Sequence, residues 1–153
     1  MLTLKVKEER QAPMQLNITT DYALRTVLYL GNKGVCRTAK EISEEMCIPR
    51  TYLIKVLTRL RRGGVVTSVS GHAGGYQLER KLSEISIGDI LKLMERTIKI
   101  NPCLEKADFC SRKNTGVCPI HKFYGAMQEE IETKWLSLSL QQILDTYRED
   151  EKG

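Results

Sequence analysis

Apolar side chains recur along this chain with two periods, and the changes of period divide it into elements. From Met14, the run MQLNITTDYALRTVLYLGNKG has helical spacing and reads as a helix capped by Thr19 or Thr20 and stopped near Gly31 to Gly34. In TAKEISEEM, Thr38 is followed three residues later by Glu41, a capping-box signature that opens a short helix with Ala39, Ile42 and Met46 inward. A tight turn at CIP follows. From Arg50 to Arg62 the apolar positions Leu53, Val56, Leu57 and Leu60 fall on one helical stripe. Arg50, Thr51, Ile54, Lys55, Thr58, Arg59, Arg61 and Arg62 are left for the other faces, and Gly63 and Gly64 end the helix. The period then shortens. VVTSVSGHAGGYQLER places two β-prone runs around SGHAGG, the pattern of a hairpin. A phosphate-cradling loop would lead into a helix, and GHAGG leads into a strand pattern instead.

Two short helices joined by a tight turn, followed by a hairpin, make a winged helix-turn-helix, with the second helix presenting basic residues to a major groove. SEISIGDILKLME reads as a further capped helix. After a polar segment rich in cysteine, Ile120, Tyr124, Met127, Ile131, Trp135 and Leu138 recur at spacings of three and four, a heptad-like seam on a long helix. The seam could pack within one chain. Pairing with a second copy is preferred, because two readers related by a two-fold axis match palindromic DNA. LSLSLQQILDTYRED should fold back as a last short helix. The expected fold is therefore mainly α with a small β-hairpin. A winged helix-turn-helix DNA-binding domain spans residues 14–98, a cysteine-rich cluster-binding loop 99–121, and a dimerisation helix with the C-terminal tail 121–153. Residues 1–13 are charged and aperiodic and read as an N-terminal extension that need not be ordered.

A chain of 153 residues can bury a core without covalent staples. No run approaches the roughly 18 apolar residues of a membrane span, and MLTLKVKEERQAP lacks the apolar core of a secretory signal, so a cytoplasmic protein with no membrane partner is expected. In that reducing compartment five cysteines read as thiols or metal ligands. The charge is uneven. Met14 to Leu82 holds eleven Lys and Arg against five Asp and Glu, a net of +6, whereas Ser83 to Gly153 holds ten against twelve, a net of −2. The basic half is the one suited to a polyanion.

In NPCLEKADFCSRKNTGVCPIH, Cys103, Cys110 and Cys118 are separated by six and seven residues, and His121 follows the third after two more. Three thiolates and an imidazole suit zinc or an iron-sulfur centre. Zinc sites usually pair their ligands in short hooks, and only CPIH is short here, so spacing favours the iron-sulfur centre. A catalytic Cys-His pair would need an orienting acid or an oxyanion motif that the sequence does not offer, and no enzyme is expected. Cys36 and Cys47 read as small, half-buried residues of the DNA-binding half.

These residues resemble the bacterial winged-helix iron-sulfur transcription regulators, the family that includes IscR and NsrR. The resemblance runs from Met14 to about Tyr147 and rests on TTDYALRTVLYL, on AKEISEEMCIPRTYLIKVLTRLRRGGVVTSVSGHAGGYQLER, on ISIGDILKLME, on the three cysteines and on WLSLSLQQIL. It implies that the second helix of the motif enters the major groove, with Arg50, Thr51, Tyr52, Lys55 and Arg59 on DNA and Arg61 and Arg62 beyond them. It implies that the wing, through Ser70, Gly71 and His72, touches the adjacent minor groove. Ser70 and His72 stand where many members have arginine and proline. It implies a homodimer through the long helix, and an iron-sulfur cluster, 2Fe-2S rather than 4Fe-4S, on Cys103, Cys110 and Cys118. The fourth ligand implied is His121, as in IscR-type members, or Asp21 from the other subunit, as in NsrR-type members. His121 is preferred because a ligand in the same loop costs less to bring in.

The expected function is thus a homodimeric regulator of transcription whose binding to double-stranded promoter DNA is controlled by a cluster that senses nitric oxide, redox or iron-sulfur status. The rivals are an iron-sulfur electron-transfer protein, which would need neither helix-turn-helix nor wing, and a cluster-free regulator using the cysteines as a thiol switch.

Overall fold

A computed structural model describes residues 15–148. The extension read at residues 1–13 lies outside the described residues. Helix α1 (Ile18–Lys33) starts at a cap the spacing did not indicate: Asn17, not Thr19 or Thr20, accepts the Thr19 N–H at 3.0 Å. Asparagine is a strong cap and comes first in the chain, so both threonines fall inside the helix, where Thr20 is buried. The helix ends as expected at Gly34, whose φ of 64° lets its N–H reach the Leu30 carbonyl at 3.0 Å. Ala23, Val27 and Leu30 line its buried face.

Helix α2 (Ala39–Met46) has the capping box read from Thr38 and Glu41, and those bonds hold the Glu41 carboxyl below its ordinary range, with the Thr38 N–H the largest cause. The turn to α3 (Arg50–Arg62) is closed by Ser43, whose carbonyl accepts from the Ile48 N–H at 3.0 Å and whose hydroxyl donates to the Ile48 carbonyl at 2.7 Å. Cys47 adopts a left-handed conformation here, with φ 52°. That turn sends Ile48 into the core and leaves Cys47 exposed, not half-buried as expected, whereas Cys36 is half-buried. On α3 the predicted stripe of Leu53, Val56, Leu57 and Leu60 is entirely buried.

Strands β1 (Val66–Val69) and β2 (Gly75–Leu78) form the predicted hairpin, antiparallel, with Val66 opposite Leu78 and Val69 opposite Gly75. Arg37 adds a bridge to Tyr76 on the far side of β2. That approach explains Gly75: a Cβ there would meet the Arg37 carbonyl oxygen at 2.3 Å.

Helix α4 (Ile87–Met94) is capped by a Ser86–Asp89 box and buries Ile90, Leu91 and Met94. Helix α5 (Pro119–Glu130) carries proline in its first turn, where the missing N–H costs nothing, and runs without a break into a wider π-helical turn, Ile131–Leu136. The π turn changes the helical period, so the seam predicted from Ile120 to Leu138 is not one straight line. Leu138 lies beyond the helix, and its carbonyl accepts the Ile87 N–H at 2.9 Å. Helix α6 (Leu140–Arg148) is the predicted last helix, anchored by the fully buried Leu140 and by its N–H on the Ile85 carbonyl at 2.8 Å. The core thus lies within α1 to α4 and is closed by the start of α6, while α5 stands outside it with Gln128 as its one buried residue.

Candidate nucleic-acid interface and cysteine loop

Because the buried stripe of α3 fixes its rotation, the opposite side is determined. Thr51, Lys55, Thr58 and Arg62, spaced four, three and four apart, form its outermost row, with Arg50, Ile54 and Arg61 on one flank and Tyr52 and Arg59 on the other. Tyr52 and Ile54 are each 44% exposed. The Lys55 ammonium stands 6.0 Å from the Tyr52 ring, which meets Tyr22 of α1 edge-on at 6.0 Å. Arg61 leans on the Ser68 hydroxyl of β1 at 3.4 Å, which holds the end of α3 to the base of the wing. At the tip, Ser70, Gly71 and His72 are exposed.

Two arginines do more than spacing indicated. Arg59, expected on DNA, donates to the Met94 carbonyl at the end of α4 at 3.0 Å. Arg25 pairs with Asp21 at 2.6 Å and also donates to the Met46 carbonyl at 2.9 Å, so the first turns of α1 are tied to the turn before the reader helix. Asp21, a candidate ligand, is therefore already engaged by a cation within its own chain.

The cysteine loop is built from short turns. Asn101 caps the first and accepts the Cys103 N–H at 3.1 Å, Cys110 follows the second, and Cys118 is the residue before α5. His121, in the first turn of α5, brings Nδ1 to 3.2 Å from Cys103 Sγ. The backbone N–H groups of Asn114 and Arg112 hold the Cys110 thiol below its ordinary range, aided by the Lys113 N–H and the Arg112 charge and opposed by desolvation. Of the four candidate ligands in the loop, the structure brings Cys103 and His121 together. Cys110 and Cys118 are not drawn to them, and no group of three His, Cys, Asp or Glu close enough for a metal ion occurs among the described residues. The chemistry of the donor set still fits a soft metal centre: three free, partly exposed thiols, one of them disposed to ionise, and an imidazole in contact with another.

Two residues escaped the sequence reading. Glu95, just past α4, accepts the Asn17 N–H at 2.8 Å and the Thr20 hydroxyl on one oxygen, closing the N-terminus of α1 from 78 positions away. Gln128 accepts the Ile100 N–H at 2.9 Å and donates to the Ile98 carbonyl at 3.0 Å and to Glu132 at 2.8 Å. Glu132 also pairs with Lys99 at 2.6 Å, and that bond is the first cause holding its carboxyl below the ordinary range. No local signal marks Glu95. Gln128 had a signal that the seam as read left out: it stands at helical spacing between Tyr124 and Ile131.

A reader helix, a wing and an exposed basic row define a winged-helix DNA-binding protein. Residues 16–146 match the Rrf2 family, described as an iron-dependent transcriptional regulator, and the chain belongs to that family. The resemblance read from its motifs is thereby borne out. Among solved structures, it is similar to IscR of T. potens, with TM-score 0.69 and 23% identity over 91% of this chain and 92% of that one. It is similar to CymR, the global cysteine regulator of B. subtilis, with TM-score 0.65 and 22% identity over 87% and 98%. An oxidized form of Staphylococcus aureus CymR matches with TM-score 0.62 and 27% identity over 85% and 95%. No described helix is long and apolar enough to cross a membrane.

Proposed function

We propose that this transcriptional regulator is a homodimer that reads a palindromic promoter site through α3 and the wing, under the control of an iron-sulfur cluster held by Cys103, Cys110, Cys118 and His121. The carrying observation is the 3.2 Å approach of Cys103 Sγ to His121 Nδ1, which sets two of the four donors side by side at the start of the long helix. The same pairing supports His121 over Asp21 as fourth ligand, since Asp21 would first have to leave Arg25. When bound, such a cluster supplies a soft, redox-responsive centre, and 2Fe-2S is the type we favour. The chain's own part is to fold residues 101–118 into one shape around it. Arg50, Thr51, Tyr52 and Lys55 are assigned to base edges or the groove walls, Arg61 and Arg62 to phosphates, Arg59 to phosphate with its remaining nitrogens, and Ser70, Gly71 and His72 to the wing contact.

A cluster-free thiol switch is the second reading, favoured by the acidified Cys110 thiol and by the likeness to a CymR that has an oxidized form. Anaerobic purification with iron and sulfide analysis and a visible spectrum separates the two. Stoichiometric iron and sulfide that are lost in Cys110→Ala support the cluster. Protein that binds promoter DNA and responds to oxidant with neither iron nor sulfide supports the thiol switch. The electron-transfer alternative has no observation in its favour.

A further inference from the structure

The segment that leaves α4 and leads into the cysteine loop is tied down at both ends. At the first end, Met94 accepts the Arg59 guanidinium of the reader helix on its carbonyl at 3.0 Å, and Glu95 closes the N-terminus of α1 through Asn17 at 2.8 Å and the buried Thr20. At the second end, Gln128, only 4% exposed, holds Ile98 and Ile100 by their backbone groups, and Lys99 between them is paired to Glu132. The next residue, Asn101, caps the turn that carries Cys103. Through five of its seven residues, the segment Met94–Ile100 therefore touches the reader helix, the first turn of α1 and the long helix, and it leads directly into the cysteine loop.

A buried amide that uses both its N–H groups and its oxygen resists sliding, because any shift of its partners leaves polar groups unsatisfied away from water. Residues 98–100 are thereby held to α5, and only Arg96 and Thr97 separate them from Met94 and Glu95. We propose that Met94–Ile100 is a transmitting strap, with Gln128 and Glu95 as positioning residues that convert the shape of the cysteine loop into the orientation of α3 and the start of α1. This inference rests on the reading of residues 101–118 as the regulatory loop.

The test uses full-length wild-type, Gln128→Met and Glu95→Ala proteins, each prepared anaerobically with cluster and again after stripping by a chelator. Affinity is read by fluorescence anisotropy on a duplex selected from a random pool by the wild-type protein, and on a shuffled duplex, at one salt concentration. Wild-type affinity for the selected duplex should differ by about tenfold between the two forms, and in both variants the ratio should fall to within about twofold, with binding to the shuffled duplex unchanged. A folded variant that keeps the wild-type ratio overturns the strap. Glu95→Ala decides the matter if circular dichroism shows that Gln128→Met has not folded. A wild-type ratio of one would instead overturn the regulatory reading, and the strap would then be judged by amide exchange on stripped protein. Faster exchange in Gln128→Met across residues 53–60 and 18–22 supports it, and an increase confined to residues 98–132 overturns it.

Discussion

At the residue scale, the reader helix separates side chains that are free from side chains that are already engaged. Lys55 lies in the outermost row beside the Tyr52 ring, with no ion-pair partner among the described residues, whereas Arg61 leans on Ser68 at the base of the wing, where a phosphate backbone would pass. Lys55→Ala should therefore change which sequence is preferred, while Arg61→Ala should weaken all sequences alike and lower the slope of log affinity against log salt by about one. Binding to a panel of duplexes across a salt series checks this, and equal loss of preference in both variants would refute the division. Cys110 is a second residue-scale case. Backbone N–H groups, more than the charge of Arg112, favour its thiolate. In metal-free protein its alkylation by iodoacetamide should set in at a pH below the ordinary thiol range, and Arg112→Gln should move that midpoint little. A midpoint within the ordinary range would contradict the geometry.

At the scale of elements, α3 behaves as its pattern dictates, because a four-residue apolar stripe is a strictly local statement about one face. Leu57→Ala should cost about 2–5 kcal/mol in denaturant unfolding, since it empties a site in the middle of the core. The capping box of α2, the capped start of α4 and the hairpin were legible for the same reason: each depends on residues within a few positions. What was not legible depends on partners far away in the chain. Asn17 outcompeted two threonines as the cap of α1 with help from Glu95, and Arg59 was diverted to Met94 by the packing of α4 on α3. In the cysteine loop, spacing singled out candidate donors but not which two would meet. The π turn was hidden too, since a seam written at helical spacing looks the same whether or not its end widens. That turn also carries a pH signature. Glu132 is held below its ordinary range by Lys99 and Gln128, so its contribution to stability is fully present above the unfolded-state value and is lost as pH falls through the lower folded-state value. Thermal melts from neutral pH downward should show a loss in that acid window that is smaller in Lys99→Met. An identical profile in the variant would mean that solvent screens the half-exposed pair completely.

For the whole molecule, the decisive fact is that α5 is nearly bare. The core closes around α1 to α4 and the start of α6, yet Ile120, Phe123 and Trp135 on the long helix are 56%, 58% and 59% exposed. Three large apolar side chains left in water along one helix are what an interface with a second copy would cover. A second copy would also serve the proposed reading of DNA, because one short α3 supplies few base contacts and a two-fold pair spaced roughly one DNA turn apart would double them. Trp135→Glu is the informative substitution. The side chain is more than half exposed, so a charge there should leave the fold of the single chain intact while burying an unpaired carboxylate in any interface that covers it. Sedimentation should show the variant as a monomer with unchanged far-ultraviolet circular dichroism. Its affinity for a palindromic duplex should fall by about tenfold or more, towards that of a half-site, with nonspecific binding reduced far less. A variant that remains a dimer and binds as before would place the subunit contact on another face, and the long helix would then serve only to carry the cysteine loop.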